Sequence, residues 1–326
     1  MARGALASPD SVLADILVWL GQGKRAWLCT IVGTWGSSPR PEGSWLAVSE
    51  AGDWSGSVSG GCLEEDLLRR TASDWPERAL VIDYGITDDD RDRFSLPCGG
   101  SIRLLVEPVS GPGMDAHIRA LAQALEQRQP VTRRVCLHGE AELLRAGHRG
   151  GALVRFDGEC LHHVLEPDCH LLLICAGDVA RYVAEFADAA GFRTTLCEPR
   201  ESFASGWTHS HIPLDRRLPD DLIAAEFSDA RSGVLALAHD PRIDDMGLLA
   251  ALASPAFYVG AMGSRKTSDA RRERLASLGL PPAALARLKA PIGVDIPSKT
   301  PPEIAISIVA DLIAARYRLR AARASL

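Results

Sequence analysis

The second half of the sequence alternates short apolar runs with longer amphipathic stretches, and this pattern constrains the fold more than any other feature. The apolar runs have the length of buried strands, and the amphipathic stretches carry the end signals of helices. The predicted strands cover residues 170–175, 192–197, 234–238 and 257–259, and the predicted helices cover 179–190, 246–253, 264–278 and 302–320. Strands that alternate with helices favour a doubly wound parallel sheet. We therefore predict an α/β, Rossmann-like domain over residues 168–326.

The first half mixes strand-like runs, turns and a few helices, which favours an α+β domain over residues 1–167. Helices are predicted at 12–20, 62–75 and 113–127, and strands at 26–32, 45–48, 54–58, 79–84, 101–108 and, as several short pieces, within 131–165. The segment Glu166-Pro167-Asp168 is the predicted boundary between the two domains.

Composition excludes several classes of protein. A net charge of −6 gives no basic surface for nucleic acid. The N-terminus lacks a basic segment followed by an apolar run, and no apolar stretch is long enough to span a bilayer. We therefore expect a cytoplasmic protein that binds neither nucleic acid nor membrane and whose eight cysteines are reduced.

Two cysteines lie beside glycine pairs in the first half. Residues 56–65 read Gly-Ser-Val-Ser-Gly-Gly-Cys-Leu-Glu-Glu, so Cys62 stands at a predicted helix start. Free N–H groups at such a start favour thiolates and bound phosphate, and glycines permit a close approach to a ligand. Cys98 has a similar setting before Gly99 and Gly100. The alternative is that both segments are tight turns with small buried cysteines.

The predicted Rossmann-like domain has a poor dinucleotide turn. The turn reads Cys175-Ala176-Gly177-Asp178, with one glycine where three are expected, and Asp178 would place a negative charge near a pyrophosphate. Glu198, 21 residues after Gly177, does match the acid that binds ribose. The pattern therefore favours the fold and disfavours NAD(P), although an NAD(P)-dependent oxidoreductase remains an alternative function.

A second glycine turn opens the helix predicted at 264–278. Gly263 precedes Ser264, which can cap the helix, and Arg265 follows in the first turn, where a cation opposes the helix dipole unless an anion is bound. The alternative is a solvated basic face shared with Arg271 and Arg272. The pair His239-Asp240, after another predicted strand, would lie on the same carboxyl edge of the sheet.

Taken together, the motifs resemble those of the xanthine dehydrogenase accessory protein family (XdhC/CoxI), and the resemblance covers nearly the whole chain. The matching segments are 36–40 with Gly43, 56–62 with Glu64, 98–100, 107–108, 176–177, 198–200, 239–240 with Asp245, 258–265, 290–296 and 300–305. The sequence departs from the family at Cys175 and Asp178, where a glycine and a histidine usually flank Ala-Gly.

The resemblance implies a maturation factor without turnover that binds molybdenum cofactor, protects it during sulfuration and delivers it to a molybdenum hydroxylase of the xanthine dehydrogenase type. It implies two partners, the hydroxylase apoenzyme and a cysteine desulfurase, and a homodimeric state. The residues then expected to bind the cofactor are Arg40, Ser59, Gly60, Gly61, Cys62, Glu64, Cys98, Gly99, Gly100, Gly263, Ser264 and Arg265. The thiols of Cys62 and Cys98 are the expected contacts to molybdenum. A sulfurtransferase that carries a persulfide on Cys62 or Cys98 is a further alternative.

Overall fold

The computed structural model of the chain describes residues 8–71, 75–85, 100–139, 141–145, 152–209, 211–238 and 240–324. Within these ranges, only the backbone is described at residues 62, 112, 145, 323 and 324. The chain divides into two compact units, Met1–Pro167 with Arg323–Leu326 and Asp168–Ala322.

The first unit contains a five-stranded antiparallel sheet in the order β3-β2-β1-β5-β4. Its strands are β1 (Ala26–Trp35), β2 (Trp45–Ser49), β3 (Trp54–Gly56), β4 (Leu80–Tyr84) and β5 (Ser101–Pro108). The central strand β1 is almost entirely buried because both faces of the sheet are covered. The mixed α+β fold predicted for this half is confirmed.

Helices cover the two faces of this sheet. They are α1 (Pro9–Gly21), α2 (Cys62–Thr71) and α3 (Pro112–Glu126). Apolar side chains of α1 and α3 pack with Leu28 of β1, whereas Leu63 and Leu67 of α2 pack with Cys29 and Ile31. Neighbouring residues of β1 thus pack into different apolar cores, one on each face of the sheet, because side chains alternate along a strand.

The same unit contains a second, four-stranded antiparallel sheet in the order β7-β6-β9-β8. Its strands are β6 (Val131–Cys136), β7 (Glu142–Arg145), β8 (Val154–Phe156) and β9 (Cys160–Leu165). The register of β6 and β9 places Cys136 directly opposite Cys160, and the two form a disulfide. The expectation that all eight cysteines are reduced is therefore wrong for this pair, because strand register brings together two residues that are distant in sequence.

The second unit is built on a six-stranded parallel sheet in the order β12-β11-β10-β13-β14-β15. Its strands are β10 (His170–Ile174), β11 (Arg193–Cys197), β12 (Leu214–Asp215), β13 (Ser232–Ala236), β14 (Tyr258–Ala261) and β15 (Leu288–Lys289). Numbered within the unit, the order is 3-2-1-4-5-6, that of the dinucleotide-binding fold. The predicted Rossmann-like domain is confirmed.

Helices and two separate apolar cores cover the two faces of the parallel sheet. The helices are α4 (Asp178–Ala189), α5 (Glu201–Ala204), α6 (Pro219–Glu226), α7 (Pro241–Ala253), α8 (Arg265–Ser277), α9 (Pro282–Leu285) and α10 (Pro301–Ala324). None of the helices in the described residues is both long and apolar enough to cross a membrane.

Candidate functional site

The loop that leads into α2 is organised around the carboxylate of Glu64. One carboxylate oxygen accepts hydrogen bonds from the backbone N–H groups of Val58 (2.8 Å) and Ser59 (2.9 Å) and from the Ser57 hydroxyl (2.7 Å). The other oxygen accepts from the Gly61 N–H (2.9 Å) and the Ser59 hydroxyl. The Glu64 side chain is therefore an anion enclosed by its own loop, and the residue is only 4% exposed.

The hydrogen bonds keep Glu64 ionised. Burial by itself would raise the pKa of this carboxyl, but the donors from Ser59, Ser57 and Val58 outweigh burial and hold the pKa at about 2. Glu64 is the third residue of α2, and a glutamate at this position can reach back to the N–H of the residue before the helix. The contact with Gly61 has this geometry, so Glu64 also fixes where α2 begins.

The same hydrogen bonds change the role expected of the backbone. The N–H groups of Ser59 and Gly61, expected to be free for a phosphate, donate to Glu64, and the Leu63 N–H donates to the Ser59 hydroxyl (2.8 Å). Gly60 and Gly61 have φ values of 81° and 134°, a backbone conformation that favours glycine. Cys62 is the first residue of α2, but its side chain lies outside the described residues.

A second motif of the first unit lies close to the turn at residues 36–40. A Cβ atom built on Gly100 would stand 2.4 Å from the carbonyl oxygen of Ser37 and 2.7 Å from that of Trp35, so only glycine fits there. Cys98 and Gly99 lie outside the described residues. In the same turn, the guanidinium of Arg40 forms no ion pair with any residue that the structure describes. The structure thus brings Gly100 to the turn that carries Arg40.

In the second unit, the residue expected to bind ribose is already engaged. The carboxylate of Glu198 is fully buried and receives two hydrogen bonds of 2.7 Å from the Arg200 guanidinium and one of 3.2 Å from the Ala176 N–H. Burial would raise the pKa of Glu198, but the bonds from Arg200 and Ala176 lower it. The sequence pattern indicates Glu198 but does not indicate Arg200 as its partner.

The turn after β10 is unusual because a cysteine occupies a glycine conformation. Cys175 has a φ of 102°, and its sulfur accepts a hydrogen bond from Arg200 (3.6 Å). Arg200 also lies 3.8 Å from Asp240, which caps α7 through the Arg242 N–H. His239 lies outside the described residues. Arg200 is thus the shared partner of the loops that follow β10, β11 and β13.

The turn after β14 has the predicted cap. The Ser264 hydroxyl accepts from the Thr267 N–H (3.2 Å), and the exposed Arg265 side chain lies 3.5 Å from Asp295. The alternative of a solvated basic face is wrong for Arg271, because its buried guanidinium pairs with Asp244 at 2.8 Å.

The residues expected to bind the cofactor are divided between the two units. Gly263, Ser264 and Arg265 belong to the second unit, whereas the loop around Glu64 belongs to the first. Across the described ranges, no three His, Cys, Asp or Glu residues form a group that could hold a metal ion.

Comparison with known proteins gives matches over both units. A model described as the XdhC and CoxI family matches residues 19–85, and one described as the XdhC Rossmann domain matches residues 171–312. The molybdenum cofactor insertion chaperone PaoD of Escherichia coli is 29% identical over 313 residues, which cover 91% of this chain and 85% of PaoD. A protein of Bacillus subtilis described as a probable xanthine dehydrogenase subunit is 24% identical, with coverage of 91% of this chain and 94% of that protein.

A solved structure is similar to this chain over almost its whole length. A crystal structure described as a xanthine dehydrogenase from Bacillus halodurans matches with a TM-score of 0.73 and 25% identity, and the match covers 95% of this chain and 96% of that one. The two family models together cover more than half of the chain, one in each unit. The chain therefore belongs to the XdhC and CoxI family.

Proposed function

We propose that the chain binds molybdenum cofactor as cargo, protects it during sulfuration and delivers it to a molybdenum hydroxylase of the xanthine dehydrogenase type. Support comes from the family and from the relative named as a molybdenum cofactor insertion chaperone. The proposed partners are the hydroxylase apoenzyme and a cysteine desulfurase, in the cytoplasm, with the chain acting as a homodimer. The chain itself acts without turnover.

The observation that carries this proposal is the loop ordered by Glu64. Its hydrogen bonds are made within residues 57–64 and fix the loop and the start of α2, so Cys62 begins the helix at a defined place. Preorganisation lowers the ordering cost of binding a bulky ligand. We therefore propose Glu64 as a positioning residue and Cys62 as the thiol that approaches molybdenum, with Cys98 as a second.

The phosphate of the cofactor needs a different contact. Since the N–H groups of Ser59 and Gly61 already donate to Glu64, we propose that Arg40 binds the phosphate. A guanidinium matches phosphate geometry, and that of Arg40 has no competing carboxylate within the described residues. Gly100 packs on the carbonyl groups of Ser37 and Trp35, next to the turn that carries Arg40.

The test measures bound molybdenum and pterin per protomer after purification from a host that makes the cofactor. Cys62→Ala should reduce the bound cofactor without lowering the melting temperature, because the loss of a small thiol removes little packing. Cys98→Ala should act in the same direction, and the double variant should be less than additive because the two thiols share one ligand. Cys197→Ala, which removes a buried thiol of the second unit, is the matched control. Retention at the control level in both single variants would contradict the proposal.

Glu64→Gln tests the positioning role. The amide keeps one acceptor and turns donors toward the N–H groups of the loop, which should cost about 1–3 kcal/mol of stability and loosen residues 57–61. Bound pterin should fall along with that loss. Glu65→Gln is the matched control, because the Glu65 side chain is 83% exposed one residue further along α2. Equal pterin in the two variants would remove Glu64 from the site.

A further inference from the structure

The disulfide of the first unit lies on the outer face of its sheet. Cys136 ends β6 and Cys160 begins β9, and both are half-buried, whereas their inward-facing neighbours Val135 and Leu161 are at most 3% exposed. Four other cysteines in the described residues are free thiols and are all buried. Among the cysteines whose side chains the structure describes, the Cys136–Cys160 pair is therefore the one that a reagent in solution can reach.

The two sulfurs of the pair do not have the same surroundings. The Arg134 guanidinium donates to the Cys160 sulfur at 3.7 Å, and its other terminal nitrogen lies 3.3 Å from Glu142. A neighbouring guanidinium favours the thiolate form of a cysteine. The thiolate, and not the thiol, is the nucleophile in exchange at neutral pH. Cys160 is thus the sulfur suited to attack first, and Cys136 is suited to resolve.

We propose that the reduced Cys136–Cys160 pair converts a donor persulfide into free sulfide, an inference that rests on the proposed role in cofactor sulfuration. The Cys160 thiolate attacks the outer sulfur of a donor R–S–SH, which forms Cys160–S–SH and releases the donor as its thiolate. The Cys136 thiolate then attacks the inner sulfur, the one bonded to the Cys160 side chain. This forms the Cys136–Cys160 disulfide and expels HS⁻.

The electrons of this sequence balance within the pair and its donor. The outer sulfur of the persulfide gains two electrons and leaves as sulfide, and the two cysteine thiols lose two electrons and become the disulfide. The protons of the two thiols pass to the donor thiolate and the sulfide. A cellular dithiol reductant then returns the pair to its thiol form. The Cys136–Cys160 disulfide corresponds to the oxidised product of this cycle.

The experiment adds glutathione persulfide to the full, pre-reduced chain and measures sulfide released and the mass of each cysteine-containing peptide. The wild-type chain should release one sulfide per protomer and gain the Cys136–Cys160 disulfide. Cys136→Ser should hold the persulfide on Cys160 and lose the release. Cys160→Ser should lose both products, and Arg134→Met should slow the first step.

Several outcomes would overturn the proposal. Sulfide release by Cys136→Ser at the wild-type rate would do so, as would a persulfide that maps to Cys62 or Cys98 with the pair unchanged. The readout needs no molybdenum cofactor, so it stays separate from the proposed function. Cofactor retention measured in the Cys136→Ser chain reports the cargo role alone, since this residue is not part of the proposed cofactor site. Normal retention without sulfide release in the wild-type chain would remove only the sulfur step.

Discussion

Two neutral histidines between the sheets and helices of the first unit should make this chain sensitive to acid. The Arg133 guanidinium donates to Nε2 of His117 at 2.9 Å while it pairs with buried Glu107 at 2.6 Å and 2.8 Å. His163 faces Arg133 across the β6–β9 pair, and its Nδ1 has no hydrogen-bond partner in the described residues. Burial, and then the charge of Arg133, lower the pKa of His117 to about 4 and that of His163 to about 3.

The sign and size of the effect follow from linkage. The unfolded chain binds a proton on each histidine below a pKa of about 6.5, whereas the folded chain does so only near 3 to 4, so stability falls as the pH falls below 6.5. At about pH 5 the loss in free energy of unfolding depends only on the pKa of the histidine in the unfolded chain. This loss is about 2 kcal/mol for buried His163. Half-buried His117 adds about 1 kcal/mol once solvent screening is allowed for. A loss of about 3 kcal/mol is a large part of a typical stability.

The assay is urea unfolding followed by tryptophan fluorescence at about pH 7.5 and about pH 5. Six of the seven tryptophans lie in residues 1–167, so the signal reports the first unit. His163→Gln should shrink the difference between the two pH values by about 2 kcal/mol, whatever it does to absolute stability. His162→Gln, one residue away on the outer face of the same strand, is the matched control for a histidine substitution. Equal stability of the wild type at both pH values, or an unchanged difference in His163→Gln, would refute the reasoning.

Three further predictions concern the second unit. Calorimetry with NAD or NADP should detect no binding tighter than millimolar, roughly −4 kcal/mol, because the Glu198 carboxylate is engaged by Arg200; a micromolar Kd would contradict this. Iodoacetamide should label Cys197 later than Cys62 or Cys98, because burial, together with Asp215 and Glu198, raises the pKa of Cys197 to about 12; early labelling of Cys197 in a mass-spectrometric time course would count against it. Cys175→Gly should be about 1 kcal/mol more stable than Cys175→Ala in urea unfolding, since alanine keeps the strained φ of 102°; the reverse order would show that no strain is stored there.

Much of the fold could be predicted because most elements are long enough to show a period. The predicted strand at 101–108 and the helix at 113–127 differ from the structure by at most one residue at each end. The strands β12 and β15 were missed because two residues carry no period. The Cys136–Cys160 disulfide was missed because its 24-residue spacing says nothing about strand register.

The candidate site was predicted as a set of residues and not as a set of contacts. The resemblance pointed to Glu64, but no pattern in the sequence shows that its carboxylate would take the N–H groups expected for a phosphate. A usable signal was present, since a glutamate three residues after Gly61 is half of a capping box. Arg200 was quoted as part of a motif, and its pairing with Glu198 depends on how the chain turns after β11.

The ion pair between Glu198 and Arg200 constrains how this domain could acquire a dinucleotide ligand. Removing Arg200 alone would leave a fully buried carboxylate without its cation, at a cost of about 3–5 kcal/mol. Replacing Cys175 alone by glycine would relieve the backbone strain of the turn, but the Glu198 carboxylate would remain paired with Arg200. A dinucleotide site at this edge of the sheet would therefore require changes at more than one position, because neither single change frees the Glu198 carboxylate without cost. The ion pair between Glu198 and Arg200 thus disfavours the evolution of dinucleotide binding in this domain through single substitutions.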